Sequence, residues 1–179
     1  MKTNRLSTQD LCMIGVWTAI IIVLSQIAIP MPLGVPMTMQ TFAITLVAIV
    51  LGKRKGAIAT LIYVLLGTIG LPVFTGFKGG VGSLVSPTGG FILSFPIMAY
   101  IIGWGIEQYR KNKMLFLGAL SVGTIINFGI GALVFCMITG SSLLAAMTAC
   151  VLPFIPTAII KAVAASMLGM RLRVRVIKL

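Results

Sequence analysis

Leu11–Ile29 reads LCMIGVWTAIIIVLSQIAI, nineteen residues without a single charge, closed by Pro30. A helix needs about 20 mostly apolar residues to cross a bilayer. A signal peptide has a shorter apolar core and a small-residue cleavage site, so this run predicts a retained membrane helix. Pro30, Pro32, Gly34 and Pro36 exclude its continuation. Further apolar stretches follow over 37–51, 56–71, 91–106, 114–138 and 143–170, giving six spans with 11–29. Pro153 and Pro156 interrupt the first half of the last one.

The composition agrees with a chain solvated by lipid. Of 179 residues, 59% are hydrophobic and 9% charged, with a mean hydropathy of +1.14. A soluble domain carries about 25% charged residues. The expected fold class is therefore an all-α integral membrane protein, one transmembrane domain over 1–179, with no linker and no internal repeat. The cysteines, Cys12, Cys136 and Cys150, are odd in number and lie in apolar runs, which reads as packing and not as disulfides or a metal site.

The charges orient the spans. Lys plus Arg number 14 against two acids, Asp10 and Glu107, and there is no histidine. Lys2 and Arg5, then Lys53, Arg54 and Lys55, then Arg110, Lys111 and Lys113, then Arg171, Arg173, Arg175 and Lys178 occupy alternate connections and the two ends. Only Lys78 falls on the other side, with Lys161 inside the last span. Cytoplasmic connections collect Lys and Arg, so both termini are expected in the cytoplasm. The same counts exclude zinc hydrolases, Ser-His-Asp triads and paired-carboxylate chemistry. A carrier driven by protons keeps acids or histidine within the membrane. Neither acid lies mid-span, so uphill transport would draw its energy from a partner.

Lys161, in the run Ala158-Ile-Ile-Lys-Ala162, is more than two helical turns from the basic tail, too far to snorkel easily to that surface. A buried ammonium needs water, carbonyls or an anion. One reading gives it a ligand's anionic group; the other lets it reach outer water through the proline-broken half of the span. The second candidate is the glycine-rich stretch 70–90, with Gly76, Gly79, Gly80, Gly82, Gly89 and Gly90 among Val73, Phe74, Phe77 and Val81. Irregular apolar backbone of this kind is tolerated at membrane depth where it is buried or lines a cavity. It is not a Walker loop, because Lys78 lacks the following Ser or Thr. Gln40 and Asn127 either bond a polar ligand or join helices. Gly15 and Ala19 make a small-xxx-small stripe on the first span, suited to internal packing or to docking a second protein.

The order of these features resembles one family. Pro36-Met-Thr-Met-Gln-Thr41, Gly67-Thr-Ile-Gly-Leu-Pro-Val-Phe74, Pro87-Thr-Gly-Gly-Phe91, and Pro153-Phe-Ile-Pro156 with Lys161 are similar to the BioY family, the biotin-specific substrate-binding S-components of energy-coupling factor transporters. The resemblance covers about Gly15 to Gly169. It implies a six-helix protein of the bacterial plasma membrane, holding biotin near the outer face under three loops. It also implies partners: a membrane coupling protein docked at Gly15 and Ala19, and two cytoplasmic ATPases. No cofactor and no enzyme activity are implied. The expected ligand contacts are Gln40, Phe74, Phe77, Lys78, Gly79, Thr88, Phe91, Asn127, Thr157 and Lys161.

The chain departs from the family pattern at two places. Pro156-Thr157-Ala158 stands where members commonly read Pro-Gly-Asp, and Ser86 stands where a glycine is usual. Three other readings stay open: a subunit for a biotin-related vitamin or precursor, a membrane scaffold with no ligand, and an intramembrane enzyme. The last would have to work with Ser, Thr, Tyr, Cys and Lys161 alone.

Overall fold

The computed structural model describes residues 6–31 and 35–176. Its first helix, α1, runs Thr8–Ser25. Ser7 and Asp10 form a reciprocal capping box that satisfies two open N–H groups at its start. The helix stops four residues short of the expected Ile29. Ser25 Oγ donates to the carbonyl of Ile22 and to that of Val73, at 2.7 and 2.9 Å, which ties the helix end to the glycine-rich segment. Ala28–Ile29 then pairs antiparallel with Met37–Thr38, in the register Ala28 to Thr38 and Ile29 to Met37.

The second and third expected spans form one helical element, α2 (Gln40–Thr68), broken at Gly52. Lys53, Arg54 and Lys55, expected in a connection, belong to its second arm. Gly52 has φ 80° and ψ −177°, a conformation that side chains resist and glycine adopts freely. The two arms double back: a Cβ on Gly56 would lie 3.0 Å from the Ala48 Cα, eight residues away. A straight helix would separate those residues by more than two turns.

The remaining helices are α3 (Gly89–Gln108), α4 (Lys113–Thr139), α5 (Leu143–Cys150) and α6 (Ile155–Val176). Asn112 and Ser142 cap α4 and α5 through their side chains, and Gly140 ends α4 in the left-handed conformation. The sixth expected span is split into α5, a 3-10 turn at Leu152–Phe154 and α6, because Pro153 and Pro156 withhold N–H donors there. Among the described residues, four helical stretches are long and apolar enough to cross a membrane: Thr8–Ser25, Gly89–Gln108, Lys113–Thr139 and Leu143–Arg175. The arms of α2 are shorter, and its basic triplet lowers its hydropathy.

The main core surrounds the first arm of α2, where Ala43 to Val50 are all buried. α1, α3 and α6 pack on α2, and α4 leans on α3 and α5. α1 contributes Ile14, Trp17, Thr18, Ile21 and Ser25, one helical stripe. The opposite side of α1 exposes Gly15, Val16, Ala19 and Val23.

Charged groups gather at one end of the bundle. Lys55 pairs with Asp10, and Lys53 Nζ lies 3.3 Å from Glu107 Oε2. Glu107 Oε1 also accepts from the Lys53 amide at 3.0 Å, capping the second arm of α2. Arg173 Nη1 donates to the carbonyls of Ile49 and Val50 at 2.8 and 3.2 Å, capping the first arm. The Gly52 break is thus held from both sides by α3 and α6. The antiparallel pair, the glycine-rich segment and the turn before α6 meet at the opposite end.

Candidate binding site

At that opposite end lies a cavity of about 470 Å³. Five parts of the chain wall it: residues 35–41, 74–88, the start of α3, the middle of α4, and 150–161. The glycine-rich segment reaches it through sharp turns. Phe74 and Lys78 exchange backbone hydrogen bonds of 2.9 and 3.3 Å across the turn Thr75-Gly76-Phe77. Gly79 passes so near the preceding strand of chain that a Cβ would fall 2.3 Å from the Leu71 carbonyl oxygen.

Nine of the ten expected contact residues line this cavity: Gln40, Phe74, Lys78, Gly79, Thr88, Phe91, Asn127, Thr157 and Lys161. Phe77 is not on its wall. The residue is 72% exposed, its φ is 56°, and its amide donates to Gln26 Oε1 at 3.0 Å. At the apex of the Thr75-Gly76-Phe77 turn, in the left-handed region, Phe77 is left exposed and off the cavity wall.

Lys161 projects from α6 and its Nζ donates to the Thr38 carbonyl at 2.8 Å. It is half-buried, and among the described residues no carboxylate faces it. Both acids of the sequence are engaged at the other end. Thr38 Oγ1 donates to Gln40 Oε1 at 3.0 Å, and Gln40 Nε2 donates to Tyr63 OH at 2.7 Å. Gln40 is therefore largely committed within the protein. Thr157 Oγ1 donates to the Phe154 carbonyl at 2.9 Å, and Thr88 Oγ1 lies 2.9 Å from Ser86 Oγ. Lys78 is exposed at the rim. Thr41, Thr75 and Ser83 add further hydroxyls, and the aromatic part of the wall is Phe74, Phe91, Phe95, Phe128 and Phe154.

Several wall residues gave no separate signal in the sequence. Phe95, Phe128 and Phe154 are three aromatics among many apolar neighbours. Behind the wall, Ser94, which accepts from Asn127 Nδ2, is one hydroxyl in an apolar helix. Ala158 and Ser86, the two departures from the family pattern, both stand on the wall.

A cavity with an aromatic body, hydroxyl and amide side chains along its wall and two ammonium groups, Lys161 and the rim Lys78, suits a small molecule with an apolar skeleton and polar, anionic ends. The model of the BioY family matches residues 1–178. The chain belongs to the BioY family. The biotin transporter BioY2 of Lactococcus lactis subsp. cremoris is 40% identical over 172 residues, covering 96% of this chain and 93% of that protein. The biotin transporter BioY of Thermotoga maritima is 39% identical over 160 residues, covering 89% and 92%. The crystal structure of an S-component for biotin from an ECF-type ABC transporter superposes with a TM-score of 0.83 at 29% identity, over 97% of this chain and 95% of that one. This BioY protein is accordingly a mostly helical, multi-pass membrane protein with the S-component fold.

Proposed function

We propose that this BioY protein is the high-affinity substrate-binding subunit for biotin uptake across the bacterial plasma membrane. One observation carries the reading: a half-buried ammonium with no carboxylate partner among the described residues, on the wall of an aromatic cavity of about 470 Å³. Biotin is a carboxylate on an aliphatic tail with a fused ureido ring. In this reading Lys161 receives an anionic or strongly polar group of the ligand, and Phe74 and Phe91 pack its apolar body. Lys78 draws the anion to the rim, where opposite charges raise encounter rates. Gln40, Gly79, Thr88, Asn127 and Thr157 complete the wall.

The chain crosses the bilayer six times in this proposal, counting each arm of α2 and taking α5 with α6, with both termini in the cytoplasm. Transport is energised by partners: a membrane coupling protein that docks at Gly15 and Ala19, and two cytoplasmic ATPases. The relatives' names as biotin transporters and the S-component fold of the solved neighbour support this assignment.

Calorimetric titration of the purified chain with biotin tests it. Truncating one partner of a desolvated charge pair costs on the order of 2–5 kcal/mol, so Lys161→Ala is expected to weaken biotin binding at least tenfold. An unchanged isotherm removes Lys161 from the site. A second reading is favoured by Ala158, a methyl on the wall where the family commonly has an acid. It assigns a biotin-related vitamin or precursor whose ring does not call for that acid. Competition between the two compounds for the same chain separates the readings.

A further inference from the structure

Gln26 follows the last residue of α1 and is not on the cavity wall. A carboxamide brings two N–H donors and one carbonyl acceptor. Gln26 Nε2 donates to the Val73 carbonyl at 3.1 Å and to the Ile22 carbonyl of its own helix at 3.2 Å, while Oε1 accepts from the Phe77 amide at 3.0 Å. Turning the amide over would set its oxygen against two carbonyls and its N–H groups against another N–H, so the orientation is fixed by chemistry. One side chain thus spans both sides of the turn. Val73 precedes Phe74 and Phe77 precedes Lys78, the two residues whose backbones bond across it. Ser25 doubles the tie: its Oγ donates to the Val73 carbonyl at 2.9 Å, and its carbonyl accepts from Thr75 Oγ1 at 2.9 Å.

The base of the turn is fixed elsewhere. Phe74 is buried with its ring edge-on to Tyr63, and the Gly80 amide donates to the Gly67 carbonyl at 2.7 Å. The apex is different. Among the described residues, every hydrogen bond that residues 75–78 send out of the turn goes to Ser25 or Gln26. Gly76 and Phe77 have φ of 73° and 56°, and the second is unfavourable for a residue with a side chain. Phe77 is exposed, so burial does not offset it. A single short backbone pairing such as Phe74 with Lys78 is marginal by itself. Yet this apex brings Thr75 and Lys78 to the cavity wall. We propose that Gln26 is a positioning residue for ligand retention: by bridging Val73 and Phe77 it holds the 75–78 apex over the cavity and sets how long the bound molecule stays. The proposal rests on the biotin-uptake reading and deepens it. Opening of the apex requires the Gln26 bridge to break, so Gln26 governs release although it does not touch the ligand.

The test is release of tritium-labelled biotin from the full chain in nanodiscs, chased with unlabelled biotin. Gln26→Leu loses both bonds to the turn, and its dissociation rate is expected to rise about tenfold. Its association rate should stay within threefold of wild type, since Lys78 and the wall residues are all still present. Gln26→Glu keeps the shape but sets a carboxylate against the Val73 and Ile22 carbonyls, and it should release biotin as fast as Gln26→Leu. Asn112→Ala removes the cap of α4 at the other end of the bundle. It should lower the melting temperature and leave release within twofold of wild type. Release from Gln26→Leu within twofold of wild type overturns the proposal. Equal acceleration by Asn112→Ala overturns it too, because the effect would then be a general loss of stability. So does wild-type release from Gln26→Glu, which would show that bulk and not hydrogen bonding holds the apex. Should the Gln26 variants fail to fold, hydrogen exchange of biotin-loaded wild type decides. The Phe77 amide is expected to be protected, and exchange at the rate of a free amide overturns the proposal. Wild type that binds no biotin defeats the uptake reading and this proposal together. Biotin binding with unaltered release from the Gln26 variants defeats this proposal alone.

Discussion

Gly52 decides whether twenty-nine residues make one rod or two arms. At φ 80° and ψ −177° it occupies a region that is essentially glycine-only and costs a residue with a side chain roughly 1–3 kcal/mol. A Cβ there would also stand 2.7 Å from Glu107 Oε1, the atom that caps Lys53. Gly52→Ala is therefore expected to lose about 2 kcal/mol of stability, read as a lower melting temperature of the purified chain. A melting temperature equal to wild type would mean that the break is held by packing alone. Lys161 and Gly52 differ in how visible they are in a sequence. A lone ammonium amid Ala and Ile stands out because burying it is costly. A glycine among twenty does not announce which of them carries the turn. Asn127 was legible as a polar residue in an apolar run, but Ser94 was not, since its role comes from a contact 33 positions away.

At the scale of elements, hydrophobic runs located the helices and missed their joints. The run Leu11–Ile29 outlasts α1 because Ala28 and Ile29, though apolar, pair with Met37 and Thr38 as a ribbon. The triplet Lys53-Arg54-Lys55 reads as a connection by charge, yet it begins a helical arm, since Glu107 supplies its cap and Lys55 reaches Asp10. Both differences come from partners distant in the sequence. The exposed stripe of α1 was legible, because small residues four apart fall on one helix face. Beyond its chain neighbours and its own helix backbone, no atom of the described residues comes within 4 Å of the position a Cβ on Gly15 would take, so a larger side chain fits the isolated subunit. Gly15→Leu should leave biotin binding within about twofold of wild type while abolishing uptake in cells that have the coupling partners. Uptake at the wild-type rate would show that the partner docks on another face. Lost binding would show that the stripe serves the subunit's own fold.

Over the whole molecule, the ion pairs and the cavity lie at opposite ends. Every ion pair among the described residues, Asp10 with Lys55 and Glu107 with Lys53, lies where α1 begins, α2 breaks, α3 finishes and α6 ends. The cavity, with Lys161 and Lys78, lies at the other end. Fourteen basic residues against two acids leave a large uncompensated positive surface, and it is concentrated at the first end. Moving that end across a bilayer is unfavourable against the membrane potential, so the proposed topology puts it on the cytoplasmic side with the cavity opening outward. In a chain whose three cysteines are replaced by alanine, Lys78→Cys should react with a membrane-impermeant maleimide on intact cells. Arg110→Cys, on the far side of α3, should react only after the membrane is opened. The reverse pattern would invert the chain and turn the cavity toward the cytoplasm, where it would serve release and not capture. Labelling of both positions from outside would mean that α3 does not cross, and the six-span topology would fall with it.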